Sequence, residues 1–253
     1  MPPETLRAVF ARLRDIEPEP RGELEHVNPY TLLVAVVLSA QATDKGVNRA
    51  TRGLFAAADT PQGMLELGLE GVREHVKTIN FFNTKARNVI ALSRILVEEH
   101  GGEVPASVEI LEGLPGVGRK TASVVVNMAF RIPRIAVDTH IFRVANRIPL
   151  AVTRTPLETQ AALEAVVPEE FLLHAHHWLI LHGRYVCKAR MPECWRCPIQ
   201  DLCRYEPKTP ARFACLPNWP DGSGAFTTAN SCFAVHWKWP RAFRRRAPIL
   251  RWS

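Results

Sequence analysis

Residues 109–130 read EILEGLPGVGRKTASVVVNMAF, and the fold of the chain turns on this stretch. A short helix runs into Leu114-Pro115-Gly116-Val117-Gly118, and a second helix starts at Arg119. Two glycines let the backbone bend sharply and come close to a ligand. They stand at a helix N-terminus, where unpaired N–H groups and the helix dipole favour a phosphate. Gly116 and Gly118 are therefore candidate contacts to a nucleic-acid backbone, against the plainer reading of an ordinary turn between helices. Lys120 lies just inside the second helix. It is either a solvated lysine touching another phosphate or an amine nucleophile able to attack carbon.

Downstream, an apolar run ends in Val137-Asp138-Thr139-His140-Ile141-Phe142-Arg143. Asp138 has the position of a helix N-cap, for which Asp is favoured. A carboxylate held by a cap is rigid, which also suits electrostatic work on a substrate. The rest reads as helices with short connections. Residues 30–40 form an almost wholly apolar helix, buried on all sides. Residues 84–99 are amphipathic and stop at Gly101-Gly102. Thr155-Pro156-Leu157-Glu158 opens a helix to about Val166, and Pro168-Glu169-Glu170 opens one to about His182. No run alternates as a strand does, so the expected class is all-α.

The 253 residues are 47% hydrophobic and 23% charged, an ordinary globular composition. It excludes collagen-like or wholly disordered chains and suits one or two domains. The longest strongly apolar run, Leu32 to Leu38, is far short of the ~20 residues of a membrane span. The opening Met1-Pro2-Pro3-Glu4 does not look like a secretory signal, so a cytoplasmic, membrane-free protein is expected. The net charge of +7 is uneven. Residues 1–211 carry 25 basic and 24 acidic side chains, and residues 212–253 carry seven and one. That last segment, with four of the six tryptophans and no sustained period, reads either as a nucleic-acid-binding arm or as a tail without a role. Its lack of patterning favours the second, and disorder is expected there.

Cys187, Cys194, Cys197 and Cys203 are spaced Cys-x6-Cys-x2-Cys-x5-Cys. In a reducing compartment, four crowded thiols read as metal ligands. The spacing alone leaves zinc and a [4Fe-4S] cluster both open.

Taken together, the chain resembles the endonuclease III family. The resemblance is carried by Leu38-Ser39-Ala40-Gln41-Ala42-Thr43-Asp44, the 114–122 hairpin, Val137 to Arg143, the 176–184 segment HHWLILHGR and the cysteine loop, in that order. It covers about residues 1–211. It implies a helix–hairpin–helix DNA glycosylase fold with a six-helix barrel at 22–132. A second domain, from 1–21 and 133–211, would hold a [4Fe-4S] cluster on the four cysteines, with 212–253 an atypical basic tail.

The implied activity is base excision repair of oxidised pyrimidines in damaged double-stranded DNA by a monomer. Strand cleavage would follow by β-elimination through a lysine Schiff base. Lys120 matches the catalytic lysine and Asp138 the catalytic aspartate. Gln41 matches the residue that fills the hole left by the flipped base, and Asp44 one near the extruded base. Phe81 stands where the family has an apolar wedge. The family commonly has glycine where this chain has Asn80, and Asn tolerates a positive φ, so the turn there is expected to survive. Arg184, Lys188 and Arg190 are expected to meet the DNA backbone.

Two alternatives remain. A monofunctional mismatch-type glycosylase would generally lack the lysine. A non-catalytic iron–sulfur DNA-binding protein would need neither Lys120 nor Asp138. His140, His174, His176, His177 and His182 read as packing residues rather than metal ligands.

Overall fold

The computed structural model describes residues 1–20 and 22–210, so the expectations for the 212–253 tail lie outside the described residues. Its centre is α2 (Pro29–Ser39), where every residue from Tyr30 to Leu38 is buried. A helix apolar on all faces needs neighbours on all faces. α3 (Asp44–Ala57), α5 (Phe82–His100) and α7 (Arg119–Phe130) pack against it directly. α4 (Pro61–Val76) packs on α3 and α5, and α6 (Val108–Glu112) on α7. These six helices share one core that includes Leu33, Leu54, Met64, Leu92 and Val125. Their ends follow local rules. Asn28 and Thr31 form a reciprocal cap on α2, while Thr43 and Thr60 cap α3 and α4. Gly101, at φ +61°, ends α5.

A second core joins the two ends of the chain. α1 (Pro3–Ile16) lays Phe10 against Phe171 and Trp178 of α10 (Glu169–Tyr185), with ring centroids 5.9 and 6.5 Å apart. The Trp178 indole N–H donates to the Glu17 carbonyl at 2.7 Å. α8 (Thr139–Arg147) packs on α10 and on α9 (Pro156–Val166). After α10 the described residues hold one 3-10 turn, Cys194–Arg196, and no α-helix. Arg12 of α1 reaches across to that segment, donating to the Pro198 carbonyl and the Asp201 carboxylate. Among the described residues there is no strand, in keeping with the all-α expectation. α10 runs three residues beyond the expected His182, which places Arg184 in its last turn. No helix among the described residues is long and apolar enough to cross a membrane.

Candidate active site and cluster site

The hairpin stands as read. Gly116 has φ +78°, and a Cβ there would sit 2.6 Å from the Asn88 side chain, so both conformation and contact demand glycine. Gly118 is different. A Cβ on it would meet nothing within 4 Å, so protein packing does not explain the glycine. An open approach to the first turn of α7 does, and no side chain caps that turn. Lys120 is exposed there and forms no ion pair among the described residues.

Asp138 caps α8. Its Oδ1 accepts from the His140 and Ile141 N–H groups, both at 2.8 Å. α8 and α10 come close at this point because Gly183 has no Cβ, which would lie 2.9 Å from the His140 Cβ. The charge of Lys120 is felt at Asp44 and at His176, and that of Arg184 at His140 and at His176.

Between the cores lies a group of four side chains. Arg184 Nη1 donates to Glu23 at 2.6 Å and to Asp44 Oδ2 at 2.9 Å, and the Tyr185 hydroxyl donates to Glu23 at 2.7 Å. Burial and the neighbouring Asp44 raise the Glu23 carboxyl above its ordinary value of 4.5, against the pull of Tyr185 and Arg184. Burial pushes Asp44 up, but hydrogen bonds from Glu23 and Arg184 and the charges of Arg184 and Lys120 bring it below 3.8.

This carries a signed pH prediction. The raised Glu23 binds a proton more tightly in the folded state, so its contribution is full at low pH and falls as pH rises from 4.5. The lowered Asp44 contributes above 3.8 and is lost below it. Glu23→Gln removes the titration of Glu23 itself, while its amide can still hydrogen-bond Asp44. Denaturant melts are expected to show a weaker loss of stability as pH rises above 4.5. An unaltered decline above pH 4.5 would contradict the raised Glu23 carboxyl.

Gln41 and Phe81 are both exposed, Phe81 at 64%, and both are left-handed, with φ of 54° and 57°. The expected turn at Asn80 is corrected here. The positive φ belongs to Phe81, and the Asn80 amide instead donates to the Gln41 carbonyl at 3.4 Å. Among the basic residues read as backbone contacts, Arg190 is exposed without an ion pair, and Lys188 is exposed but pairs with Glu193 at 2.8 Å. Arg184 points into the carboxylate pair.

The four cysteines line one pocket, together with Arg147, Ile148, His182, Val186 and Pro192. Burial and the other three cysteines push the Cys197 thiol up to about 12, and burial raises Cys187. Buried thiols that act as ligands ionise only around a cationic centre. Among the described residues no three Cys, His, Asp or Glu side chains converge where one metal ion would be held. Thiols surrounding a volume fit a cluster better than a single zinc. Arg147 Nη1 lies 3.5 Å from the Cys187 sulfur and 2.7 Å from the Lys188 carbonyl, and the Tyr205 N–H 3.4 Å from the Cys203 sulfur. Such N–H groups moderate cluster potential. His176, His177 and His182 are buried, as packing residues are, and each has an Nδ1 without a hydrogen-bond partner. Burial holds His177 and His182 at about 4.

Glu23, Tyr185 and Lys85 escaped the sequence reading. No local pattern marks any of them.

Helices around a glycine hairpin, with a capped aspartate and a cysteine-lined pocket, are the plan of a helix–hairpin–helix protein. Residues 34–169 match the model of the HhH-GPD superfamily base excision DNA repair proteins. Residues 187–203 match the iron-sulfur binding domain of endonuclease III. Endonuclease III of Haemophilus influenzae is 56% identical over 200 residues, 79% of this chain and 95% of that protein. Endonuclease III of Escherichia coli is 55% identical over the same shares. A solved structure of a trapped endonuclease III–DNA covalent intermediate aligns with TM-score 0.74 and 41% identity, over 81% of this chain and 96% of that one. The chain belongs to the endonuclease III family of DNA glycosylases and AP lyases. Its cofactor is accordingly a [4Fe-4S] cluster on the loop 187–203.

Proposed function

We propose that the chain removes oxidised pyrimidines from duplex DNA and then cuts the strand through a Schiff base on Lys120. The observation that carries this reading is the exposed Lys120 at the uncapped start of α7, with Asp138 held rigidly as the cap of α8. The aligned structure described as a trapped covalent intermediate supports it.

A damaged base is unreachable within the stack, so the nucleotide must be turned out. Phe81 wedges into the stack and Gln41 fills the space left behind. Gly116, Gly118 and the α7 amides hold a phosphate. Lys188 and Arg190 add backbone contacts, while Arg184 orients Asp44 toward the extruded base. Lys120 Nζ, as the neutral amine, attacks C1′. The bond from C1′ to the base breaks, and the base leaves with a proton. Cleavage of C1′–O4′ opens the sugar and leaves an imine between C1′ and Nζ. That imine acidifies the C2′ hydrogen. Its loss breaks C3′–O3′ and frees the 3′ phosphate. Asp138 stabilises positive charge at the sugar and carries protons.

In this reading the two cores correspond to domains at 22–132 and at 1–21 with 133–211, and the enzyme works as a monomer in the cytoplasm. The cluster, when bound, ties the loop 187–203 together and places Lys188 and Arg190. The presence of Lys120 weighs against a monofunctional mismatch glycosylase.

The test is a panel of duplexes, each with one defined lesion. Excision from oxidised pyrimidines coupled to a nick 3′ to the lesion is expected. Excision without a nick, or only from mismatched normal bases, would overturn the reading.

A further inference from the structure

Lys85 is a buried lysine on the inner face of α5, 5% exposed. Its ammonium donates to the Leu38 carbonyl at 2.9 Å and the Ala40 carbonyl at 2.7 Å. Both carbonyls belong to the C-terminal end of α2, where helix carbonyls lack partners and a cation is favoured. The neighbouring groups are also accounted for. The Ser39 hydroxyl donates to the Val36 carbonyl, the Ala42 N–H to Ser39, and the Asn80 amide to Gln41. The backbone N–H of Lys85 itself donates to the Phe81 carbonyl at 3.1 Å.

One residue thus holds the turn that carries Gln41 and the turn that carries Phe81. Both turns put a non-glycine residue in left-handed backbone, a conformation that persists only where surroundings impose it. Lys85 is too buried to touch DNA, and among the described residues its ammonium bonds backbone carbonyls of Leu38 and Ala40 rather than Lys120 or Asp138. We propose that Lys85 is a positioning residue, its ammonium locking the end of α2 onto the start of α5 so that Gln41 and Phe81 enter the duplex as one rigid fork. This rests on the reading of those two residues as the parts that probe the stack.

The test separates opening the stack from chemistry. Lys85→Met keeps the length and removes the donors. Single-turnover excision from a lesion-bearing duplex is expected to slow roughly ten- to a hundredfold, since small misplacements cost that much. β-Elimination at a preformed abasic site in single-stranded DNA, where no stack opens, is expected to stay within about twofold. In a Gln41→Ala background, Lys85→Met should add less than about a further twofold to the loss, because the two act as one unit. Asn80→Ala cuts the exposed tie of the same turn and reports even where Lys85→Met fails to fold, with a smaller loss of the same duplex-only kind.

Equal losses on both substrates, full additivity with Gln41→Ala, or no loss in the folded variants would overturn the proposal. Gln41→Ala and Phe81→Ala without effect on duplex excision would overturn the fork itself, and the proposal with it. Impaired prong variants beside an unimpaired Lys85→Met overturn the role of Lys85 alone.

Discussion

Lys120→Ala is expected to abolish the borohydride-trapped adduct with abasic DNA and to lower strand cleavage by roughly three orders of magnitude or more, about 4 kcal/mol of barrier. Reduction traps only an imine, and an imine needs a primary amine at the sugar carbon. The fold loses nothing comparable. Lys120 is exposed and has no ion pair among the described residues, so its truncation should leave stability within about 0.5 kcal/mol. A correctly folded variant without adduct therefore isolates the chemistry. Asp138→Asn supplies the matching arm. Asn caps helices as well as Asp does, so the bonds to the His140 and Ile141 N–H groups can persist while the charge is gone. Its loss of rate then measures electrostatic stabilisation rather than a frayed α8. An undiminished adduct in Lys120→Ala would place the nucleophile elsewhere.

What the sequence discloses of this molecule is what acts over short chain distances. The hairpin, the Asp138 cap and the cysteine spacing, the last at 187–203, are each contained within one short segment, where glycine geometry, capping and ligand chemistry are readable locally. The wholly apolar run at 30–40 likewise announces a central helix before any partner is known. Lys85 and Glu23 are invisible on the same terms. Lys85 meets its carbonyls across 47 positions, and Glu23 meets Arg184 across 161. In the sequence each is an ordinary charged residue. Arg184 shows the converse. Its place beside a basic loop suggested phosphate, whereas folding the first core onto the second brings two carboxylates to it. The Asn80 reading failed for a narrower reason. A family glycine marks a flexible turn, but the chain places the left-handed residue one position later, at Phe81, where Asn80 can then bond Gln41.

Removing one cluster ligand is expected to cost more stability than any single core truncation. Cys197→Ala should purify without visible colour, melt about 10 °C lower, and be cut by protease between residues 186 and 210 while the α2–α7 core resists. Little else orders that segment. It has one 3-10 turn and no α-helix among its described residues, so backbone hydrogen bonds alone hold it weakly. Cys187, Cys197 and Cys203 are themselves part of the second core, packed with Ile199 and Leu202. Without a cationic centre, burial works against ionising Cys187 and Cys197, and nothing then draws the sulfurs together. The loosening then reaches the site. Arg143 Nε donates to the Cys187 carbonyl and Arg147 to the Lys188 and Ala189 carbonyls, and both arginines lie on α8, the helix that Asp138 caps. Affinity for DNA is expected to fall with stability, because Lys188 and Arg190 ride on the same loop. A colourless Cys197→Ala protein with an unchanged melting temperature and cleavage pattern would show that packing alone holds the loop, and that the cluster is kept for something other than architecture.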